Sequence, residues 1–263
     1  MRTSVARHRA AATPGGVAAA RGIVAAVIVR RYAGSWLVVR QADHARLAGE
    51  IVALMRLPEL ESHSRRRALL RAVAEHDNGW WEEDAAPRLD PASGGPLDFR
   101  SLPPAERRVV WMRGVERYAG DDPYVAALVA GHLLRLATAL GEPSAGLLRG
   151  ELDALRRELL ARAGIELGEA QRDDRWLELG DVCSLALATG ERAFLAAHGE
   201  SVLLRELAGR NELVLDPFPF AGATSFALPA RRLAAYPYSD AVALGLALAA
   251  APDEPLALRV VAR

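Results

Sequence analysis

Several apolar helical stretches of this sequence carry polar residues where the helical period predicts an apolar side chain. Asp181, for example, lies between Leu177 and Leu185 on an otherwise apolar stripe. Burial of a charged or imidazole group without a partner is costly, so these exceptions are expected to meet in one interior. The exceptions are His44, His76, Asp77, His132 and Asp181.

Imidazole nitrogens and carboxylate oxygens that converge from different helices are the donors that a first-row divalent metal ion prefers. Coordination would also neutralise carboxylates that an apolar core otherwise rejects. The five residues therefore predict a site for a divalent ion, with Mn, Mg, Fe and Zn all chemically suitable. The alternative is a buried polar network without metal, because a single His on an apolar face is more often a hydrogen-bonded core residue.

The elements that must position these residues are mainly helical. Asp43 and Asp122 are predicted N-caps, and Pro123 after Asp122 suits the first helical position. Residues 84–104 are rich in proline and include a Ser-Gly-Gly run, which predicts a long loop. Helices are predicted at about residues 43–56, 64–76, 104–118, 123–139, 144–163, 173–189, 191–197 and 240–250.

Strands are predicted at both ends of the chain. Apolar runs around Gly34 predict a β-hairpin within residues 22–40, and further strands are predicted at 213–215, 224–228 and 256–261. We expect both groups to meet in one small, mostly antiparallel sheet beside the helices. The predicted fold class is therefore α+β and mainly helical.

One domain is expected, spanning residues 22–263, with a helical core at 43–198 and a C-terminal part at 211–263. Residues 1–21 contain no acidic residue and no apolar period, which predicts a flexible extension. A chain of 263 residues that is 51% hydrophobic and 25% charged is typical of a soluble globular protein.

Composition also excludes several function classes. The chain has no Lys, which excludes Schiff-base chemistry and a Walker-type phosphate loop. A net charge of +0 gives no general electrostatic basis for nucleic-acid or membrane binding. The single Cys183 cannot form an internal disulfide, which fits a cytoplasmic protein. Oligomeric state is left open.

Two resemblances follow from these residues. The sequence from Glu75 to Trp80, with Asp84-Ala-Ala-Pro and Leu89-Asp-Pro, resembles an uncharacterised bacterial family, domain of unknown function 3891. The order His44, His76-Asp77 and Asp181 is similar to the His, His-Asp, Asp pattern of HD-domain metal-dependent phosphohydrolases. That similarity implies an HD-like helical core.

The HD resemblance implies that His44, His76, Asp77 and Asp181 ligate one or two metal ions, with His132 as a further ligand or a donor to phosphate. The implied activity is hydrolysis of a nucleotide or small phosphate ester. The residues near this ligand set receive candidate roles: Glu75 or Asp84 as general base, and Asn78, Trp80 and Trp81 as pocket wall.

Two other function classes remain open. Some HD-like proteins carry a two-iron centre for oxygen chemistry, and His132 would help to bind the second ion. The other class is a non-catalytic binding or structural module that keeps a buried His/Asp network. The metal content of the purified protein distinguishes both from a hydrolase.

Overall fold

The structure is a computed structural model. It describes residues 27–32, 34–141, 145–191, 195–197, 200–202, 205–206, 212–215 and 217–262. The predicted extension at residues 1–21 and the first residues of the predicted hairpin lie outside this part of the chain.

Helices form the middle of the chain and agree with most predicted boundaries. Asp122 caps its helix as predicted, accepting a hydrogen bond from the Val125 N–H at 3.2 Å, and Gly141 ends that helix with a φ of 63°. The helices are α1 (Gln41–Ala53), α2 (Pro58–Glu61), α3 (Arg66–Ala74), α4 (Trp81–Ala85), α5 (Pro104–Ala119), α6 (Pro123–Leu140), α7 (Ala145–Ala163), α8 (Leu167–Thr189) and α9 (Ala241–Ala250).

The strands of the described residues form three small sheets. The strands are β1 (Ile28–Tyr32), β2 (Ser35–Val39), β3 (Leu195–Ala197), β4 (Glu200–Val202), β5 (Arg205–Glu206), β6 (Glu212–Val214), β7 (Thr224–Leu228), β8 (Arg231–Ala234) and β9 (Leu256–Val261). The sheet orders are β1-β2-β8, β3-β4 and β5-β6-β9-β7. All neighbouring pairs are antiparallel except β6 and β9, which are parallel.

The mainly helical α+β class is confirmed, whereas the prediction of a single sheet is wrong. The hairpin β1-β2 pairs with β8, and the predicted C-terminal strands pair with one another in a separate sheet. Strand β8 lacked an apolar signal because only Leu233 in it is buried. The helix predicted at 191–197 is also wrong for residues 195–197, which form β3.

Helix α3 ends at Ala74, so His76 and Asp77 lie in the following turn rather than on the helix predicted to reach residue 76. This turn is seated on α5. Asn78 Nδ2 donates to the Gly114 carbonyl at 3.0 Å, and a Cβ on Gly79 would lie 2.2 Å from the Val110 carbonyl oxygen. Only glycine allows that approach, which fixes the position of the two preceding site residues.

Close packing of α8 against α1 and α3 brings Asp181 to this turn. A Cβ on Gly180 would lie 2.8 Å from Val73 Cγ1 on α3 and 3.0 Å from the Ala48 carbonyl oxygen on α1. The absence of a side chain at Gly180 therefore allows all three helices to meet beside Asp181.

The predicted N-cap at Asp43 is wrong, because α1 begins at Gln41. Asp84 accepts hydrogen bonds from the backbone N–H groups of Gln41 and Ala42, both at 2.9 Å. Asp43 instead forms ion pairs with Arg40 and Arg46. A distant carboxylate thus performs the capping role, which a local sequence pattern cannot show.

Helix α6 is long and apolar enough, by length and composition, to cross a membrane. However, 61% of that segment is buried in the protein, and it packs against α5, α7 and α8. Core packing explains its apolar character, which is consistent with a soluble protein. The cytoplasmic location stays a prediction.

Candidate metal centre

The five polar exceptions in the apolar stripes converge at one place. They come from α1 (His44), the turn after α3 (His76 and Asp77), α6 (His132) and α8 (Asp181), and each is buried. These residues form two overlapping triads, one of His44, His76 and Asp181 and the other of His76, Asp77 and His132. Within each triad, the ring nitrogens and carboxylate oxygens that could bind a metal lie within 4.8 Å of one another.

Four donor atoms form a ring of alternating nitrogen and oxygen. His44 Nε2 lies 2.9 Å from Asp77 Oδ2, which lies 3.6 Å from His76 Nε2. His76 Nε2 is 3.5 Å from Asp181 Oδ1, and this oxygen is 4.0 Å from His44 Nε2. Two imidazoles and two carboxylates from three parts of the chain therefore surround one point.

The spacing of this ring suits one divalent ion. Ligands at about 2.0 to 2.2 Å from a tetrahedral or octahedral ion lie about 2.8 to 3.6 Å from their neighbours. Three of the four separations given above fall in that range, and the fourth, 4.0 Å between Asp181 Oδ1 and His44 Nε2, exceeds it. The donor set of two nitrogens and two oxygens is also one that Zn, Mn and Fe accept.

When its imidazole is neutral, His76 directs the lone pair of Nε2 to the centre of the ring of donor atoms. Its Nδ1–H donates to the Val73 carbonyl at 2.8 Å, which leaves Nε2 without a proton in the neutral ring. Nε2 is buried and has no hydrogen-bond partner among the described residues. A ring nitrogen oriented by a backbone carbonyl on its far side is a recurrent arrangement of metal-ligating histidines.

His44 is oriented in the same way by a side chain. The Ser184 hydroxyl lies within hydrogen-bond distance of the Asp181 carbonyl at 3.1 Å and of His44 Nδ1 at 2.9 Å. When the hydroxyl donates to the carbonyl, its oxygen accepts from His44 Nδ1–H, and the lone pair of His44 Nε2 then faces Asp77 Oδ2. In this tautomer a metal ion can bind between these two acceptors.

The charges of the site favour a cation. Burial lowers the pKa of His76, but the carboxylates of Asp77 and Asp181 outweigh it and raise this pKa to about 9. Burial raises the pKa values of Asp77 and Asp181, yet the surrounding histidines hold both below their usual range. Two ionised carboxylates in a buried site create the negative potential that a divalent ion would neutralise.

His132 differs from the other two histidines because the guanidinium of Arg135 donates a hydrogen bond to one of its ring nitrogens. Arg135 Nη2 donates to His132 Nδ1 at 2.9 Å and to Asp181 Oδ2 at 3.1 Å. A guanidinium can only donate, so the neutral ring of His132 carries its proton on Nε2. Burial, with His76 and Arg135, lowers the His132 pKa to about 3, so the ring is neutral. In this tautomer His132 offers an N–H at Nε2, and its Nδ1 could ligate an ion only if Arg135 moved away.

We expect the same substitution to have opposite effects on metal content at two of these histidines. His76→Gln removes a lone pair that points into the ring, so the bound ion should be lost on dialysis. His132→Gln should keep about one ion per chain, because the Arg135 contact already occupies Nδ1. Elemental analysis of both dialysed variants checks this, and loss of the ion from His132→Gln would contradict the assigned tautomer.

The stability of the metal-free protein should fall as the pH rises from about 6.5 to about 9. The His76 pKa is raised from 6.5 to about 9 in the folded state, so its stabilising contribution is complete below 6.5 and is lost as the imidazole deprotonates. Urea unfolding in chelator across this range measures the effect. With saturating metal the decline should disappear, because an ion binds the neutral ring.

A cavity of about 260 Å³ adjoins the ring of donors. His44, Asp77, His132 and Asp181 line one side of it. Most of the remaining wall is apolar and aromatic, and Trp80 meets Phe99 edge to face with ring centroids 6.4 Å apart. The other lining residues are Gln41, Arg100, Arg107, Trp111, Leu136, Ala139, Leu140 and Leu185.

The structure brings some predicted site residues to this cavity and places others elsewhere. Trp80 lines it. Glu75, Asp84 and Trp81 line a separate, open cavity of about 410 Å³. Asn78 is fully buried and bridges the turn to α5, so it supports the site without facing the cavity.

The general-base roles predicted for Glu75 and Asp84 gain no support from their contacts. Asp84 caps α1 by accepting hydrogen bonds from two backbone N–H groups. Burial raises the pKa of Asp84 to about 7, although these two hydrogen bonds act to lower it. Burial also raises the pKa of Glu75. Neither carboxylate lines the cavity beside the ring of donors.

Among the residues that the sequence missed, Gln41, Ser184 and Arg135 orient or line the site. Gln41 and Ser184 each lie three positions from a predicted ligand on the same helix, His44 and Asp181 respectively, and this spacing was a usable signal. Arg135 lies three positions after His132 on α6, but its role depends on Asp181 of α8, and the sequence contains no sign of that contact.

Comparison with known proteins gives a family and no activity. A family profile described as "Protein of unknown function (DUF3891)" matches residues 27–235. No curated protein and no solved structure matches the chain.

Proposed function

This chain belongs to the DUF3891 family of proteins of unknown function, and we propose that it is a divalent-metal-dependent phosphohydrolase that acts on a small phosphate ester. The ion would be held by His44, His76, Asp77 and Asp181. The single observation that carries the proposal is the orientation of the two imidazoles. The Val73 carbonyl binds Nδ1 of His76, and the Ser184 hydroxyl binds Nδ1 of His44. The Nε2 atoms of both imidazoles therefore face the two carboxylates.

A bound divalent ion would supply an activated water near neutral pH and neutralise charge on a phosphoryl oxygen. The chain's own residues would bind and shield the substrate. His132 can donate one neutral N–H from Nε2, since Arg135 occupies Nδ1. Arg100 and Arg107 line the cavity, and Arg100 also forms ion pairs with Asp98 and Glu191. The two arginines would bring positive charge towards a dianionic ester.

The cavity also limits the size of the organic group. Its volume of about 260 Å³ is small; pockets for drug-sized ligands usually span about 300 to 1,000 Å³. The aromatic faces of Trp80 and Trp111 suit a flat apolar group more than a polar ribose. A small aryl or alkyl phosphate therefore fits these walls better than a nucleotide does.

Elemental analysis and a phosphate-release assay test the proposal together. The protein is purified without chelator, analysed for metal, and then loaded separately with Mn, Mg, Fe or Zn. Each form is assayed on a panel of nucleotides, aryl phosphates and alkyl phosphates. We expect metal-dependent phosphate release from the small esters. A loaded protein that releases phosphate from none of them would refute the proposal and favour the structural module.

A two-iron oxygenase is the second candidate, because the donors form two overlapping triads and the carboxylates of Asp77 and Asp181 could bridge two ions. His76 would ligate only one of them, since Val73 binds its Nδ1. The apolar cavity would also suit oxygen chemistry on a small organic substrate. Binding of a second ion by His132 would require Arg135 to leave Nδ1. Two irons per chain, with oxygen consumption and no phosphate release, would favour this candidate over the hydrolase.

A further inference from the structure

Gln41 occupies the first turn of α1, three residues before His44 and on the same face of the helix. Its side chain is 1% exposed, although glutamine normally lies at the surface. It lines the cavity beside the ring of donors, together with His44 and Asp181. No role in holding α1 explains this position, because Asp84 already caps the helix through backbone N–H groups.

The side-chain carbonyl oxygen of Gln41 is unpaired. Oε1 is buried and has no hydrogen-bond partner among the residues that the structure describes. A buried acceptor without a donor is destabilising, so such groups in folded proteins usually await a ligand or a bound water. The described residues offer Oε1 no donor, and the cavity that Gln41 lines is the space from which one can enter.

We infer that Gln41 binds the substrate by accepting a hydrogen bond from a hydroxyl or amino group on its organic part. The inference rests on the proposed function and narrows its substrate class. The substrate is a small phosphomonoester whose apolar group carries one further hydrogen-bond donor. Gln41 then acts as the specificity-determining residue of the cavity.

The chemistry of the other polar groups favours a donor on the organic part. A phosphate dianion has only acceptor oxygens, which suit His132, Arg100 and Arg107 but not a carbonyl oxygen. A water in the ring of donors would find charged acceptors in Asp77 and Asp181, which bind its protons more strongly than a neutral amide does. The remaining lining among the described residues is apolar or aromatic and offers no side-chain acceptor, so Gln41 is left for a neutral donor.

A pair of matched esters tests this inference. The probes are 3-(hydroxymethyl)phenyl phosphate and 3-methylphenyl phosphate, which differ by one hydroxyl group. Wild-type protein should show a kcat/KM about 10- to 100-fold higher for the hydroxylated ester. Gln41→Met keeps the side-chain length and removes the acceptor, so both esters should react at similar kcat/KM.

The ratio of the two kcat/KM values does not depend on the fraction of active protein. Gln171→Met makes the same chemical change at an exposed position on α8 and should keep the wild-type preference. Gln41→Glu retains an acceptor, so it should keep the preference even if its absolute rate falls. It also supplies a result if Gln41→Met fails to fold.

The outcomes separate this inference from the proposed function. Equal turnover of both esters by the wild type, or a preference that survives in Gln41→Met, overturns the role of Gln41 and leaves the hydrolase standing. If neither ester releases phosphate, the proposed function fails, and calorimetry with the two corresponding phosphonates decides. Tighter binding of the hydroxylated phosphonate, lost in Gln41→Met, supports the binding role, and equal binding overturns it.

Discussion

If the ring of donors holds a divalent ion as proposed, removal of that ion should lower the melting temperature of this protein by about 8 to 16 °C. An ion present at about 1,000 times its Kd stabilises the folded state by about 4 kcal/mol, if it does not bind the unfolded chain. Here the ligands lie far apart in sequence, from His44 to Asp181, so the unfolded chain has no preformed site. Differential scanning calorimetry with and without chelator measures the shift.

A matched pair of variants tests whether the ring of donors is the source of this shift in melting temperature. Asp181→Asn removes a charge at nearly constant volume, so the metal-dependent shift should almost vanish. Asp121→Asn makes the same change at an exposed position and should leave the shift intact. If the shift persisted in Asp181→Asn, the ion would bind elsewhere and the ring of donors would be a structural network.

Substitution of Asp77 should abolish phosphate release while the helical fold persists. Asp77→Asn weakens one ligand of the proposed ion and leaves a side chain of the same shape. The loss of about 4 kcal/mol of transition-state stabilisation corresponds to a fall in kcat of about 10³-fold. The measurement is phosphate release at saturating metal, with circular dichroism to verify folding.

Asp77→Ala removes the whole carboxylate group and is therefore more disruptive than Asp77→Asn. It removes one buried carboxylate partner of both His44 and His76, and breaking a buried ion pair costs about 3 to 5 kcal/mol. Activity is therefore interpreted only for variants that keep the wild-type circular dichroism spectrum. A folded Asp77→Asn protein with normal turnover would exclude Asp77 from the reaction, whereas Asp121→Asn should remain fully active.

Local sequence signals determined the mainly helical fold and the set of residues that converge. The apolar period of α6 and α8 makes a buried imidazole at His132 and a buried carboxylate at Asp181 conspicuous, because a core admits such groups only with partners. Capping chemistry located α6, since Asp122 and Gly141 act on their own helix. These effects operate within a few residues, so a single sequence contains them.

Tertiary structure decided which donors could serve as ligands. His76 and His132 have the same side chain in similarly apolar surroundings, yet Val73 binds one at Nδ1–H and Arg135 binds the other at the unprotonated Nδ1. Both contacts are to residues three positions away, but their geometry depends on the end of α3 before His76 and on the pairing of Arg135 with Asp181 of α8. The two opposite tautomers therefore could not be predicted from residue types.

The same reason explains the capping role of Asp84, the unpaired carbonyl of Gln41 and the separation of the sheets. Asp84 reaches the start of α1 from a distant part of the chain, and β8 joins the hairpin through backbone hydrogen bonds despite its weak apolar pattern. Sequence periodicity determines which face of an element is buried. The partner that the face meets depends on long-range packing, which is decided only when the whole chain folds.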